Sequence, residues 1–441
     1  MDVTQLLDGA LRDLAVQQDR AQRTITLIPS ENSSSALARV AYLTDAANRY
    51  FFADGDDGAR RFPAGRAAGH VETHLAVPLL RHLTGAAHVN VRPLSGLHAM
   101  TLLLSALASP GSTVITVDPR QGGHYATAAL AKRLGLRCLQ IGGPDPYHLD
   151  LEALTEMVIR HQPALVYLDI SHGLFPLNIA AACAAVRAGS SAARVHADVS
   201  HTMGLVLGGL LPNPLAEGAH SFGGSTHKTF PGPPKAFLAT NDAGVATAVG
   251  AAQYDMISSH HLAGVCSLGI ALAEFILTDG PGYARTVVAA AQALGAALAA
   301  AGLPPQAAEL GYTGCHQLWL DTTPAGIDAP TAAAQLDDAG IRVNVLDDLP
   351  GLAGKPALRL GTAETVTVGL DAADMPYLAA LMTAAIRSTR TATAIAADVA
   401  ALRQARTSVH QLAPDASSYR RAADLVATIF GPSLPAPAGA R

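Results

Sequence analysis

The sequence predicts an α/β fold, a mostly parallel sheet covered by helices with a smaller α/β domain after it, and three observations predict this. Short β-branched and apolar runs, Thr113–Val117, Ala164–Asp169 and Val195–Val199, have the length and composition of buried strands. Ala- and Leu-rich segments at helical spacing separate them, and strands alternating with helices build a parallel sheet with helices on its faces. After residue 275 the chain turns strongly alanine-rich, with strand-like His316–Asp321 and Ile341–Val345 between helical runs over 285–302 and 378–404. A length of 441 residues leaves room for two such bodies, each with its own core.

In chain order, residues 4–21 carry Leu7, Leu11 and Leu14 at i, i+4 and i+7, an amphipathic helix. Leu27–Asn32 follows, and Ser30 has the residue type of an N-cap for the Ser/Ala-rich helix after it. Residues 48–69 are polar, Gly-rich and Arg-rich and read as a long loop, a length that in ordered proteins is often functional. Val71–Leu83 reads as a helix. Val89–Met100 passes from a short strand through Ser95-Gly96 into a helix, whose first backbone N–H groups can bind an anion without a basic side chain. The expected boundaries are an N-terminal helix and arm over 1–45, a large domain over 46–275, a small domain over 276–431 and a disordered Pro/Ala tail over 432–441.

Charged residues make up 15% of the chain and its net charge is −5, which provides neither a nucleic-acid footprint nor a polybasic membrane patch. Cys138, Cys183, Cys266 and Cys315 are dispersed without metal-ligand spacing, so they read as reduced core residues and no metal is expected. No basic-plus-apolar leader precedes the first helix, and no apolar run reads as long enough to cross a bilayer. A cytoplasmic protein is the expectation.

The candidate centre is Ser221–Pro233. Lys228 sits there among Gly, Ser and Thr residues, where little bulk crowds its amine and hydroxyls can bind an anion, a good setting for a Schiff-base lysine. About thirty residues upstream a short strand ends in Asp198 and is followed by His201. Ligands of open α/β sheets bind at the carboxyl ends of strands, so Asp198 faces a site. A carboxylate there can keep a pyridine nitrogen protonated, which makes pyridoxal phosphate an electron sink.

The chain resembles serine hydroxymethyltransferases and their relatives among the fold-type I pyridoxal-phosphate enzymes. The matching motifs run in the family's order through Leu27-Ile28-Pro29-Ser30-Glu31-Asn32, Gly122-Gly123-His124, Asp198-Val199-Ser200-His201, Thr226-His227-Lys228-Thr229 and Arg359-Leu360-Gly361-Thr362. The resemblance implies an aminotransferase-like fold with a seven-stranded-type sheet and pyridoxal 5'-phosphate as cofactor. It implies that Lys228 carries the cofactor, Asp198 meets its ring nitrogen, His124 stacks on the ring, and His201 lies near the phenolic oxygen. Ser95, Gly96 and Leu97 would cradle the phosphate, although the family usually has serine where Leu97 stands. Ser171 and Ser225 would be further cofactor contacts, and Ser258-Ser259 would stand for the partner's Gly-Gly loop near the phosphate. Ser30 and Arg359 would hold the substrate carboxylate. Tyr50 would reach across a homodimer to the neighbouring site, with Tyr50 and His227 the acid–base candidates. The plain alternatives are a packed interface aromatic for Tyr50 and a surface arginine on a strand for Arg359.

The departures fall together. Folate-using members carry glutamate where this chain has Phe52 and a tyrosine pair where it has Phe62 and Pro63; Leu346 replaces a folate-contacting asparagine, and Gly232-Pro233-Pro234-Lys235-Ala236 replaces Gly-Pro-Arg-Gly-Gly. A polar pterin facing Phe and Leu would leave groups unpaired at about 1–3 kcal/mol each. The expected activity is folate-independent retro-aldol and aldol chemistry on β-hydroxy-α-amino acids, by a threonine transaldolase or aldolase that transfers a glycyl unit to an aldehyde. Serine hydroxymethyltransferase activity, an α-methylserine-type hydroxymethyltransferase, a racemase and a silent structural homologue stay open at this point. The expected partners are a small amino acid and an aldehyde, with a second copy of the chain and possible assembly to a tetramer.

Overall fold

The computed structural model describes residues 1–52, 61–190, 192–352, 354–409, 412 and 416–431. Its strands are, in chain order, β1 (Ile25–Thr26), β2 (His88–Asn90), β3 (Thr113–Val117), β4 (Arg137–Ile141), β5 (Leu165–Asp169), β6 (Arg194–Asp198), β7 (Ser221–Ser225), β8 (Ala236–Thr240), β9 (Gln317–Leu320), β10 (Ile341–Arg342), β11 (Asn344–Leu346) and β12 (Ala357–Gly361). The chain divides into two compact units. One comprises Met1–Glu31, His172–Pro176 and Arg285–Val409; the other comprises Asn32–Ser171, Leu177–Ala284 and His410–Arg441.

The larger unit carries a seven-stranded sheet in the order β2-β8-β7-β6-β5-β3-β4. The pairs β3–β4, β3–β5, β5–β6 and β6–β7 are parallel, whereas β8 is antiparallel to both β7 and β2. Helices cover such a sheet on both faces, which is why β5, β7 and β8 are buried at every residue and read as near-continuous apolar or small runs. Leu102 and Leu103 of the Gly96–Leu107 helix pack with Val114, Leu165 and Leu238 of the sheet and Val245 and Val249 of the Ala243–Met256 helix. Each such side chain contributes about 1.5–3 kcal/mol on burial. The parallel strands bring Val117, Asp169, Asp198 and Ser225 to one edge of the sheet.

In the smaller unit β11, β12 and β9 form an antiparallel sheet, with Arg359 opposite Asn344 on one side and Trp319 on the other. β1 pairs in parallel with β10, Ile25 opposite Ile341, and the Val3–Arg23 helix packs on the Ala392–Gln404 helix. That pairing groups residues 1–31 with the C-terminal unit instead of with a separate arm ending at 45, and the later changeover falls at Ala284 instead of 275. Residues 432–441 lie outside the described residues.

Several local expectations need correction. The expected strand Ile341–Val345 is interrupted at Val343, because its two halves pair with different partners, β1 and β12. The expected helix Val71–Leu83 contains a π turn at Glu72–Ala76 between α-helical Arg66–Val71 and Val77–Thr84. The cap of the Ala36–Arg39 helix is Ser35, whose Oγ accepts the Ala38 N–H, and not Ser30. Finally, Gly280–Ala300 is a 21-residue helix long and apolar enough to cross a membrane by composition. Its Ala284, Val287, Ala291, Leu294 and Leu298 are buried in the protein, the pattern of a core helix.

Candidate active site

A cleft at the carboxyl edge of the large sheet is lined by Gly96, Leu97, Met100, His124, Asp169, Ile170, Ser171, Asp198, Ser200, His201, Ser225 and Lys228. The sequence-based candidates Gly96, Leu97, His124, Ser171, Asp198, His201, Ser225 and Lys228 are therefore brought together. They come from four strand ends and one helix start.

Lys228 follows β7 on a turn that its neighbours pin. Asn32 donates from Nδ2 to the Lys228 carbonyl at 2.6 Å and lies 3.1 Å from the Tyr283 hydroxyl, which donates to the Thr229 carbonyl at 2.8 Å. Thr229 Oγ1 accepts the Gly204 N–H, and Thr226 Oγ1 donates to the Pro233 carbonyl. Held in this way, the Lys228 amine stands 3.2 Å from His201 Nε2, a pair between which a proton can pass. The neighbouring His227 is held well below the usual histidine range, at about 4, by burial and by the charge of Lys228. Its Nδ1 is buried with no hydrogen-bond partner among the described residues.

Asp198 accepts three hydrogen bonds: the Ser200 N–H at 2.9 Å and the Ser200 hydroxyl at 2.5 Å on Oδ1, and the Tyr167 hydroxyl at 2.8 Å on Oδ2. Ser200 Oγ in turn accepts the Ser225 N–H at 2.8 Å, which ties the ends of β6 and β7 together. Gly224 sits between them at φ +127, and a Cβ there would lie 2.3 Å from Ser200 Oγ and 2.6 Å from Asp198 Oδ1. The Gly96–Leu107 helix begins at the cleft, and its Gly96, Leu97 and Met100 are in the lining. Ser95 caps it by accepting the His98 N–H at 3.2 Å, and Gly96 is required because a Cβ would meet Ser225 Oγ at 2.1 Å.

An amine beside a histidine, a carboxylate fixed by three donors, and a glycine-opened helix N-terminus flanked by hydroxyls form the donor set that pyridoxal phosphate needs. The residues present fit that group.

Tyr167 and Asp169 were missed at the sequence level, although their alternation on one strand was the available signal. His227 is not among the residues lining the cleft, nor are Ser95, Tyr50, Ser258 and Ser259. Tyr50 is 43% exposed and stacks on Phe62 with ring centroids 5.3 Å apart, and Phe62 in turn lies 5.1 Å from Phe52. Of the loop expected over 48–69, residues 53–60 lie outside the described residues, and its last part is not a loop: Pro63–Gly65 forms a 3-10 turn that leads into the Arg66–Val71 helix. Ser258 and Ser259 sit between the Ala243–Met256 and Leu262–Leu277 helices. The backbone next to them is held by a buried cluster. Glu72 meets Arg92 Nε at 3.2 Å and His260 Nε2 at 2.7 Å, and Lys235 Nζ donates to the His260 carbonyl at 2.8 Å.

Ser30 and Arg359 belong to the smaller unit. Ser30 lies in the turn after β1, half-buried. Arg359 is buried in the middle of β12, not on the surface, and donates from Nε to Gln317 Oε1 at 2.8 Å. Burial lowers its pKa to about 9, against which Asp348 pulls upward, so it stays a cation at neutral pH.

The sequence profile of the serine hydroxymethyltransferase family matches residues 7–382. The chain is 42% identical to an L-threonine:uridine-5'-aldehyde transaldolase of an Amycolatopsis species, over 84% of this chain and 89% of that one. It is 34% identical to the serine hydroxymethyltransferase of Pyrobaculum arsenaticum, over 88% of this chain and 90% of that one. Among solved structures, the L-threonine transaldolase of Pseudomonas fluorescens superposes with a TM-score of 0.85 over 97% of both chains at 24% identity, a likeness of fold.

Proposed function

We propose that this chain, which belongs to the serine hydroxymethyltransferase family, is a folate-independent pyridoxal-phosphate transaldolase. It would break the Cα–Cβ bond of L-threonine, release acetaldehyde, and join the remaining glycyl carbon to the carbonyl carbon of a second aldehyde. The threonine hydroxyl loses a proton in the first half, and the new β-oxygen gains one in the second. The observation that carries this reading is the aromatic cluster of Tyr50, Phe52 and Phe62. Two phenyl rings in tilted contact, Phe52 and Phe62, stand where folate users carry a carboxylate and a tyrosine, so a pterin would lose its polar partners. The higher identity to a transaldolase than to a serine hydroxymethyltransferase, over similar spans, points the same way.

Pyridoxal phosphate, when bound, supplies an electron sink for the pair released at Cα. The protein's own groups do the rest. Lys228 would hold the cofactor and exchange a proton with His201 across 3.2 Å. Asp198, fixed by Ser200 and Tyr167, keeps a proton at the ring nitrogen. Ser95, Gly96, Leu97 and Ser225 receive the phosphate, and His124 and Ser171 bound the ring. Tyr50 and His227, the latter neutral at ordinary pH, would be the groups to exchange the substrate's hydroxyl proton, a role worth about 10²–10⁴ in rate. Arg359, cationic and oriented by Gln317, grips the α-carboxylate, with Ser30 assisting. Tyr50 is offered to a second copy, and the exposed Leu7, Leu11 and Leu14 of the first helix suit the same homodimer.

The test is a paired assay on the cofactor-loaded protein: acetaldehyde from L-threonine, and methylene-folate from L-serine plus tetrahydrofolate. Threonine turnover without folate, stimulated by an added aldehyde, is expected. Uridine-5'-aldehyde, named for the Amycolatopsis relative, is the first acceptor to try. Robust folate-dependent serine turnover would replace this reading with a hydroxymethyltransferase.

A further inference from the structure

The cleft contains a second carboxyl group to which nothing above assigns a task. Asp169 ends β5 as Asp198 ends β6, and the two are register partners on adjacent parallel strands. Register partners in a parallel ladder project to the same face about 4.8 Å apart, and both residues line the cleft. Their surroundings differ. Asp198 has donors on both oxygens, whereas Asp169 accepts only on Oδ2, from the Thr127 hydroxyl at 2.5 Å and the His124 N–H at 3.1 Å. Oδ1 of Asp169 is buried without a hydrogen-bond partner among the described residues.

Two adjacent carboxylates cannot both ionise cheaply in a site shielded from water. The one with an undonated oxygen is the one to keep the proton. We propose that Asp169 is a positioning residue of the cofactor cleft: it holds the His124 turn through Oδ2 while carrying a proton on Oδ1, so that Asp198 is the only anion of the pair. Burial, opposed by the Thr127 hydrogen bond and reinforced by Asp198, raises its pKa to about 7. The other titratable groups around it are Tyr167 on its own strand, Cys138 on β4, and His124, His201 and Lys228 across the cleft. Near neutral pH, loss of the Asp169 proton would add a second negative charge beside Asp198 and oppose the binding of an anionic phosphate in the same cleft.

The variant Asp169→Asn separates the possibilities, since an amide keeps the two accepted bonds and places a donor where the proton is assigned. Infrared difference spectra of the cofactor-free wild-type and D169N proteins at pH 6 should show a protonated carboxyl band in the wild type alone, fading by pH 8.5. In the loaded proteins, pyridoxal-phosphate affinity of D169N should stay within about threefold of wild type at pH 6 and lose the decline that wild type shows on going to pH 8.5. Absence of the carboxyl band, a tenfold loss of cofactor affinity in D169N, or failure of D169N to fold would each overturn the proposal. The proposal rests on reading the cleft as the cofactor's, but the infrared result on the cofactor-free protein stands independently of that reading.

Discussion

Replacing Lys235 by methionine should stabilise the protein at pH 6 and do so progressively less as the pH rises. Lys235 is 2% exposed, and among the described residues its ammonium donates only to backbone carbonyls, those of His260 at 2.8 Å and Arg92 at 3.4 Å. Burial lowers its pKa from 10.5 to about 7, with Glu72 pulling it up and Arg92 pushing it down. The unfolded chain keeps the proton up to the ordinary lysine value while the folded chain releases it near 7. Across that window the unfolded state binds more protons, so stability rises with pH. Below it the fold bears the whole penalty of a buried charge, ~5 kcal/mol at ~1.4 kcal/mol per pH unit. Methionine fills similar volume and removes the penalty, but it forfeits two hydrogen bonds worth ~1–1.5 kcal/mol each. The net expectation is a gain of ~2 kcal/mol at pH 6 that vanishes by pH 9. Urea unfolding of both proteins at three pH values measures it. A difference that does not change with pH, or a methionine variant less stable at pH 6, would show that the buried amine is not charged as argued.

Other changes have equally definite outcomes. Gly96→Ala pushes a methyl against Ser225 Oγ and should raise the cofactor dissociation constant about tenfold, ~1.4 kcal/mol, with little change in melting temperature; titration of the cofactor-free variant with pyridoxal phosphate checks this. Gly224→Ala forces a side chain into a left-handed backbone against Asp198 and should destabilise the fold by ~1–3 kcal/mol, seen in denaturant midpoints. Arg359→Lys keeps the charge but loses the two-pronged grip, so KM for L-threonine should rise at least tenfold while kcat changes less, and an unchanged KM would remove Arg359 from the carboxylate site.

Much of this architecture was legible in the sequence because its signals are local. Thr113–Val117 and Leu165–Asp169 are rich in β-branched and apolar residues and almost wholly buried, and a sheet covered on both faces buries such runs. Lys228, Asp198 and His201 were legible because small residues and a strand end announce them. Gly96 and Ser95 were legible because a strand–turn–helix junction does. Asp169 was not, since a carboxylate ending a buried strand looks like an ordinary loop entry until the register sets it beside Asp198. The Glu72, Arg92, Lys235 and His260 cluster joins four separate segments, and only the folded backbone brings them within bonding distance. The break at Val343 depends on which strand each half finds, a choice that periodicity does not encode.

The pairing of β1 with β10 also sets an order of events during synthesis. The first helix and β1 emerge early, yet their partners come much later; Arg20 and Asp337, which meet in the finished unit, are 317 residues apart in the chain. At about 5–20 residues per second, roughly fifteen seconds to a minute passes before the ribosome supplies that partner. Throughout that interval an amphipathic segment with Leu7, Leu11 and Leu14 on its surface waits for its partners, while the larger unit also still lacks its stretch from residue 410 onward. Nascent chains arrested before Asp337 is supplied should therefore be the species that chaperones hold longest.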